Sequence, residues 1–172
     1  CFGRGTSRGR CSAACRSPAK RWPDAAVLEN KFFEWFGKKR YLDKGTFVRL
    51  GRWKTQRQIK NYLRNSDELI RLITRKALRA QDEKIRIETL MELHGVSWAV
   101  ASVILHFAFP DEYPILDFRA IWSLGFKQPK SYNFNFWQEY VERFRRLCKA
   151  TDLPARTVDR GLWMFSKLNQ KA

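Results

Sequence analysis

Two features between Leu90 and Gly125 have the residue types and spacing for chemistry: a tight turn, His94-Gly95-Val96-Ser97, and an aspartate, Asp117, 22 residues beyond Gly95. A fixed carboxylate can stabilise positive charge that develops in a reaction and can orient or deprotonate a water molecule. Asp117 also precedes a short helical pattern that ends at Gly125, so an N-cap of that helix is the alternative role. The two roles are compatible, because a capping bond holds the carboxylate still.

The turn around Gly95 has the features of an anion-binding site. Gly95 permits a backbone conformation that a side chain would oppose. Ser97 can cap the helix that follows or donate its hydroxyl to a phosphate. The first amides of that helix, near Val96 and Trp98, have no intrahelical partners and lie at the positive end of the helix dipole. A plain helical hairpin inside a core is the alternative interpretation.

A basic stretch, RLGRWKTQRQIK at 49–60, is the second candidate for contacts with phosphates. An ordinary solvated face is its alternative. The basic residues concerned are Arg49, Arg52, Lys54, Arg57 and Lys60. Trp53 and Trp98 can stack on a base or fill the gap that an extruded base leaves, although core packing is the commoner role of aromatic residues at helical spacing.

The charge of the chain favours a polyanionic partner, of which nucleic acid is the commonest. There are 34 basic and 17 acidic residues in a chain of 172, a net charge of +17. Residues 1–22 hold six of the basic residues and no acidic one, so the remainder still carries +11. Its composition predicts that this leader is a flexible basic tail and that 23–172 form one helical domain.

Several classes of protein conflict with the sequence. The most apolar stretch, Val96–Pro110, is shorter than the ~20 residues that a spanning helix needs, and no apolar core follows the basic N-terminus, so we expect neither a membrane span nor a secretory signal. Cysteines at 1, 11, 15 and 148 form no ligand set, so we expect no metal, no iron–sulfur cluster and a reduced cytoplasmic or nuclear setting.

The elements that must position these residues are helices almost throughout, and we predict an all-α fold. Asp24 and Ser66 are predicted N-caps, Pro154 belongs to a first helical turn, and the apolar helix after Ser97 should be buried on all sides together with a hydrogen-bonded His106. The stripes predicted to face the core are Leu28-Phe32-Trp35, Phe47-Leu50-Trp53, Leu69-Leu72-Ile73-Ala77, Ile87-Leu90-Met91, Trp137-Tyr140-Val141-Phe144-Cys148 and Val158-Leu162-Phe165.

The stretch from about Ile85 to Gly125 resembles the helix-hairpin-helix and catalytic aspartate of the HhH-GPD superfamily of DNA glycosylases. The resemblance rests on the positions Leu90, Gly95-Val96-Ser97, Ala101, Ile104-Leu105, Pro110 and Pro114-Ile115-Leu116-Asp117. It implies a compact two-lobed helical domain with the hairpin at its centre. It also implies a monovalent cation held by hairpin carbonyls and a catalytic role for Asp117. We expect Arg119 to contact DNA phosphates near the hairpin or to pair with the Asp117 carboxylate.

The departures from the family pattern determine the expected chemistry. Bifunctional members carry a lysine where this chain has Ala99, so the Schiff-base route that cuts the backbone is closed at that position. Ser97 stands where the family has a second hairpin glycine. The four-cysteine loop of some branches is missing, and the catalytic glutamate of adenine glycosylases has no clear counterpart.

We therefore expect a monomeric, monofunctional DNA glycosylase that acts on double-stranded DNA and leaves an abasic site where a damaged or mispaired base stood. A noncatalytic helix-hairpin-helix DNA-binding protein, in which Asp117 only caps a helix, is the main alternative. An RNA-binding protein is a third possibility, but the chain contains no glycine-rich signature of the common RNA-binding modules.

Overall fold

A computed structural model describes residues 22–170, with side chains from residue 26 onward. All regular structure in that part of the chain is helical, which confirms the predicted all-α class. The predicted tail, 1–22, lies outside the described residues except for Trp22. The helices are α1 (Trp22–Lys38), α2 (Lys44–Lys54), α3 (Ile59–Leu63, preceded by a 3-10 turn at Gln56–Gln58), α4 (Asp67–Arg79), α5 (Glu83–Leu90), α6 (Trp98–Ala108), α7 (Phe118–Ser123), α8 (Phe134–Thr151) and α9 (Ala155–Asn169).

Short polar side chains set the starts of several helices, as the local sequence predicts. The Ser66 hydroxyl accepts from the Leu69 amide at 3.1 Å, which confirms it as the N-cap of α4. Pro154 directly precedes α9, in keeping with its predicted place at a helix start. The prediction that Asp24 is an N-cap was wrong, because α1 begins two residues earlier, at Trp22, and continues through Pro23. Proline is tolerated there, since the first amides of a helix have no intrahelical acceptor.

Two of the predicted core stripes were partly wrong. On α4, Leu69 and Leu72 are exposed, and the buried face runs through Ile70, Ile73 and Ala77, because α4 packs against α2 and α5 along that line. On α9, Val158 and Leu162 are buried as predicted, but Phe165 is 53% exposed. The stripe of α8 from Trp137 to Phe144 is buried, and Cys148 at its end is half-buried.

Helix α6 lies inside the fold. Every residue from Val100 to Ala108 is buried, and the helix packs against α1, α2 and α5. His106 is fully buried, and its Nδ1–H donates to the Tyr113 carbonyl at 2.7 Å, as predicted for a core histidine. Burial lowers the pKa of His106, which keeps the ring neutral at physiological pH. This apolar helix therefore connects the turn at its N-terminus to the segment that carries Asp117.

Candidate functional site

Asp117 lies directly before α7, where its side chain is held but not covered. Its Oδ1 accepts from the Arg119 amide at 3.0 Å, which confirms Asp117 as the N-cap of α7. Gly125, just beyond that helix, has φ +78°. The Asp117 side chain keeps 27% of its surface exposed. A ligand at the surface can therefore approach the carboxylate.

Lys54 reaches the same carboxylate from the end of α2. Its Nζ donates to Asp117 Oδ2 at 3.3 Å and to the Leu116 carbonyl at 3.0 Å, and only 14% of its side chain is exposed. Lys54 was a candidate phosphate contact in the basic stretch, but in the structure it is turned inward, whereas Arg49, Arg52 and Arg57 are exposed. The sequence does not indicate this pair, because the two residues are 63 positions apart.

The segment Tyr113–Asp117, which we call the carboxylate segment, is tied to distant helices through its backbone. The Ile115 amide donates to Asp159 Oδ1 on α9 at 2.9 Å, and its carbonyl accepts from the Tyr140 hydroxyl on α8 at 2.9 Å. Burial raises the pKa of Tyr140 well above its usual value, so the hydroxyl remains a donor.

The next residue, Leu116, is held in the same way through its amide and its carbonyl. The Leu116 amide donates to the Ser102 hydroxyl on α6 at 2.8 Å, and the Leu116 carbonyl accepts from Lys54. Ser102 donates in turn to the Ala99 carbonyl at 2.8 Å, one turn into α6. Side chains from α2, α6, α8 and α9 thus form hydrogen bonds with the amide and carbonyl groups of Ile115 and Leu116. A carboxylate that follows such a segment is well positioned before any ligand binds.

A buried ionic cluster supports the α9 end of this arrangement. Glu29 on α1 is 3% exposed and accepts a bidentate contact from Arg156, at 2.7 and 3.2 Å. Arg156 also pairs with Asp159, and Arg160 binds Glu29 at 2.6 Å. Asp159 therefore uses one oxygen for the ion pair and the other for the Ile115 amide. This cluster connects α1 and α9 to the carboxylate segment.

The residues His94–Ser97, which we call the turn segment, adopt the backbone that glycine permits. Gly95 has φ +85°, and a Cβ built on it would lie 2.9 Å from two ring atoms of Tyr62. The buried Asn65 side chain accepts from the His94 amide at 2.9 Å and donates to the His94 carbonyl at 3.1 Å. Burial raises the pKa of Tyr62 to about 12. The side chains of Tyr62 and Asn65 thus hold the turn in place.

The outer side of the turn segment is open. A groove of about 440 Å³ is lined by residues that include Gln58, Asn61, Gly95 and Ser97. Ser97 is the N-cap residue of α6, but its side chain makes no capping bond. The first amides of α6 and the Ser97 hydroxyl can therefore serve as donors to an anion. Glu92 also lines the groove, and its carboxylate pairs with Lys76 at 3.8 Å.

Three other predicted site residues lie against aromatic side chains. Trp53 packs edge-on against Phe107 with ring centroids 5.5 Å apart, and Trp98 is tilted against Trp137 at 6.5 Å. Both tryptophans are half-buried against the core, the commoner of the two roles considered for them. The Arg119 guanidinium lies over the ring of Phe118, so it is the Arg119 amide, not its side chain, that meets Asp117.

The exposed aromatic residues of α7 and α9 were not among the predicted site residues. Phe118, Trp122 and Phe165 are 53%, 37% and 53% exposed, and they follow Asp117 or lie on the helix that packs against α7. A signal was present: Phe165 extends the apolar stripe of α9, and Trp122 adds a large ring to a six-residue helix. Spacing alone assigned Phe165 to the core.

Metal sites, thiols and membrane spans can be examined in the described part of the chain. Among residues 26–170 there is no group of three or more side chains able to bind a metal ion. Cys148 is a free, half-buried thiol whose pKa is raised by burial, and the other cysteines lie outside the described residues. None of the described helices combines the length and apolar character that crossing a membrane requires.

Compared with known proteins, the chain matches no family model, no curated protein and no solved structure. The resemblance to the HhH-GPD glycosylases therefore depends on the motif residues between Leu90 and Gly125. Around those residues the structure shows a partly exposed Asp117, a lysine beside that carboxylate and an open turn at the N-terminus of α6.

Proposed function

We propose that this protein is a monofunctional DNA glycosylase that hydrolyses the N-glycosidic bond of a damaged or mispaired base in double-stranded DNA. The observation that supports this best is the preorganised Asp117 carboxylate, which is 27% exposed and follows a segment whose backbone is held by four other helices. In this proposal the enzyme acts as a monomer in the compartment that contains the DNA, the cytoplasm or the nucleus.

In this mechanism Asp117 acts on the deoxyribose. Breaking the glycosidic bond builds positive charge on the sugar, and a fixed carboxylate stabilises that charge and directs a water molecule to the same carbon. Lys54 and the Arg119 amide hold one carboxylate oxygen each, so the side chain does not have to reorganise during the reaction. Base departure and water addition leave an abasic site with both strands intact.

Access to the bond requires the nucleotide to leave the base stack, at a cost of a few kcal/mol. Contacts with the DNA backbone must offset that cost. The open amides near Gly95 and Ser97 suit one phosphate, with the monovalent cation that the family resemblance implies at the neighbouring carbonyls. The exposed Arg49, Arg52 and Arg57 suit others, and the net charge of +17 brings the duplex to the protein.

One observation supports hydrolysis without backbone cleavage: Ala99 has no amine, so that position supplies no Schiff-base nucleophile. We expect borohydride to trap no covalent complex with abasic DNA. A trapped complex that disappears in Lys54→Gln would instead show that Lys54 is a nucleophile.

The central test is release of free base from a panel of modified duplexes, followed by alkali to reveal abasic sites. Asp117→Asn should slow release by roughly 10²–10⁴-fold, because the charge is lost, while duplex affinity stays within a few-fold. Asp82→Asn is the matched control, since Asp82 is an exposed N-cap of α5 that accepts from the Ile85 amide at 2.8 Å. Undiminished release by Asp117→Asn would contradict the proposed role.

A noncatalytic DNA-binding protein is the second candidate. The observation in its favour is that both Asp117 oxygens already have partners, one in the N-cap of α7 and one in the pair with Lys54. Such a protein would bind duplexes with the same dependence on salt and release no base from any lesion of the panel. The release assay with the wild-type protein separates the two candidates.

A further inference from the structure

The outer face of α7 and α9 carries an aromatic surface that the core does not use. It consists of Phe118, Trp122, Trp163 and Phe165, with Arg119 and Lys167 between and beside the rings. The Trp122 and Phe165 rings lie 5.9 Å apart with 31° between their planes. The inner faces of the same helices already bury their apolar residues, so the packing of α7 on α9 does not explain why these rings stay at the surface. We call this face the α7–α9 aromatic surface.

Cations alternate with the rings on this surface. The Arg119 guanidinium lies 5.0 Å from the Phe118 centroid and 5.5 Å from that of Trp163, and the Lys167 ammonium lies 5.3 Å from Trp163. Among the ion pairs of the described residues, none involves Arg119 or Lys167. Both cations therefore keep their charge available to an anionic ligand while they lie at the edge of a stacking face.

Neither α7 nor α9 contributes an acidic side chain to this face. The sequence of α7, FRAIWS, contains no Asp or Glu, and that of α9, ARTVDRGLWMFSKLN, contains only Asp159. Asp159 is 6% exposed and is paired with Arg156, so it presents no negative charge on the outside. The surface thus combines exposed π faces with two cations that make no ion pair among the described residues, and these are the two properties that bind unpaired nucleotides.

We propose that the α7–α9 aromatic surface binds unpaired nucleotides, with bases on the exposed rings of Phe118, Trp122 and Phe165 and phosphates near Arg119 and Lys167. Phe118 directly follows Asp117 in the chain, so this surface begins at the residue after the carboxylate. The proposal does not depend on catalysis by Asp117, because it concerns a binding surface that a noncatalytic protein would also use. Stacking makes it tolerant of base identity.

The test compares two labelled oligonucleotides of ten residues in fluorescence anisotropy. One is oligo-dT, and the other has the same sugar-phosphate backbone with abasic spacers in place of the bases. Because both carry the same charge, their difference in affinity reports stacking alone. Wild-type protein should bind oligo-dT about 5- to 150-fold more tightly, the range for one stacked base. Equal affinity for the two would overturn the proposal.

The variant Phe118→Leu/Phe165→Leu should lose most of that preference and keep its affinity for the abasic strand. Leu72→Ala is the control for removal of exposed apolar surface, since Leu72 is 64% exposed on α4. For the charge, Arg119→Gln should weaken both strands about equally, whereas Arg75→Gln, whose guanidinium lies 5.1 Å from the Tyr41 centroid, should have less effect. Thermal unfolding checks that each variant is folded.

Three results would contradict this assignment. The full preference for bases could survive both in the double variant and in that variant with Trp122→Leu added, which would locate stacking elsewhere. Sedimentation could show that wild-type protein self-associates and that the double variant does not, which would make the surface an interface between copies. Binding to anionic lipid vesicles that the double variant loses, with unchanged oligonucleotide binding, would make it a membrane-contacting face.

Discussion

The turn segment and the carboxylate segment are organised in opposite ways. The turn segment presents free backbone donors and an unused Ser97 hydroxyl to an open groove, and its shape depends on one glycine at φ +85°. In the carboxylate segment the backbone is buried, and side chains from four helices bind the amides and carbonyls of Ile115 and Leu116. One region leaves backbone donors exposed at a groove, and the other holds a single side chain in place.

This difference separates the two expected functions. Damage to the turn segment should weaken attachment to DNA and leave the reaction of bound DNA unchanged. Damage to the supports of the carboxylate segment should lower stability and slow base release. The Asp117→Asn test is the most direct case, since it removes the charge and keeps an N-cap side chain.

The largest effect on stability is expected for Asp159→Ala. The change removes the acceptor of the Ile115 amide and one partner of Arg156, and we expect a loss of about 3 kcal/mol. This is the lower end of the range for a broken buried ion pair, because Arg156 keeps Glu29. Urea unfolding measures the change. The control is Asp111→Ala, at an exposed position, and a loss below about 1 kcal/mol in Asp159→Ala would show that the support is dispensable.

A smaller effect is expected for Gly95→Ala. The new side chain would have to adopt φ +85° and would lie 2.9 Å from the Tyr62 ring, so we expect a loss of about 1–3 kcal/mol. Duplex affinity should fall, while base release from saturated complexes stays near the wild-type rate. In the control, Gly37→Ala on α1, the added Cβ meets no atom within 4 Å, so stability should be unchanged or slightly higher. A slower release rate at saturation would connect the turn segment to the chemistry.

The smallest effect is the dependence of stability on pH through His106. Burial lowers its pKa in the folded protein, so the unfolded chain binds more protons below about pH 6.5. Stability should therefore fall as the pH is lowered below 6.5, by at most about 1 kcal/mol at pH 5.5. Asp159 and Glu29 also act on this ring, so the comparison is with His106→Gln, which keeps a donor for the Tyr113 carbonyl. Identical pH profiles of the two proteins would contradict this prediction.

Local rules predicted the parts of the fold that depend on neighbours in the chain. Ser66 and Asp117 cap the helices that follow them because a side-chain oxygen reaches an amide two or three residues ahead. The burial of α6 follows from the absence of a polar face. The exposed Leu72 and Phe165 were assigned to the core because helical spacing shows that a stripe exists and does not show which neighbour covers it.

Local sequence rules could not predict the contacts around the candidate site. Lys54 and Asp117 meet across 63 residues, and Asp159 reaches Ile115 across 44. Neither pair has a periodicity that a sequence pattern can reveal, and each is one of many combinations of a charged residue with a polar partner. Only the packing of α2 and α9 around the carboxylate segment selects them.

By itself, the sequence determined the helical class, the excess of positive charge, the turn around Gly95 and the cap at Asp117, because each of these depends on composition or on residues within one helical turn. The tertiary structure alone decided that Lys54 faces the carboxylate instead of solvent and that the aromatic rings of α7 and α9 remain exposed. Side-chain burial and partner choice depend on how helices pack. That packing is a property of the whole chain and of no single segment.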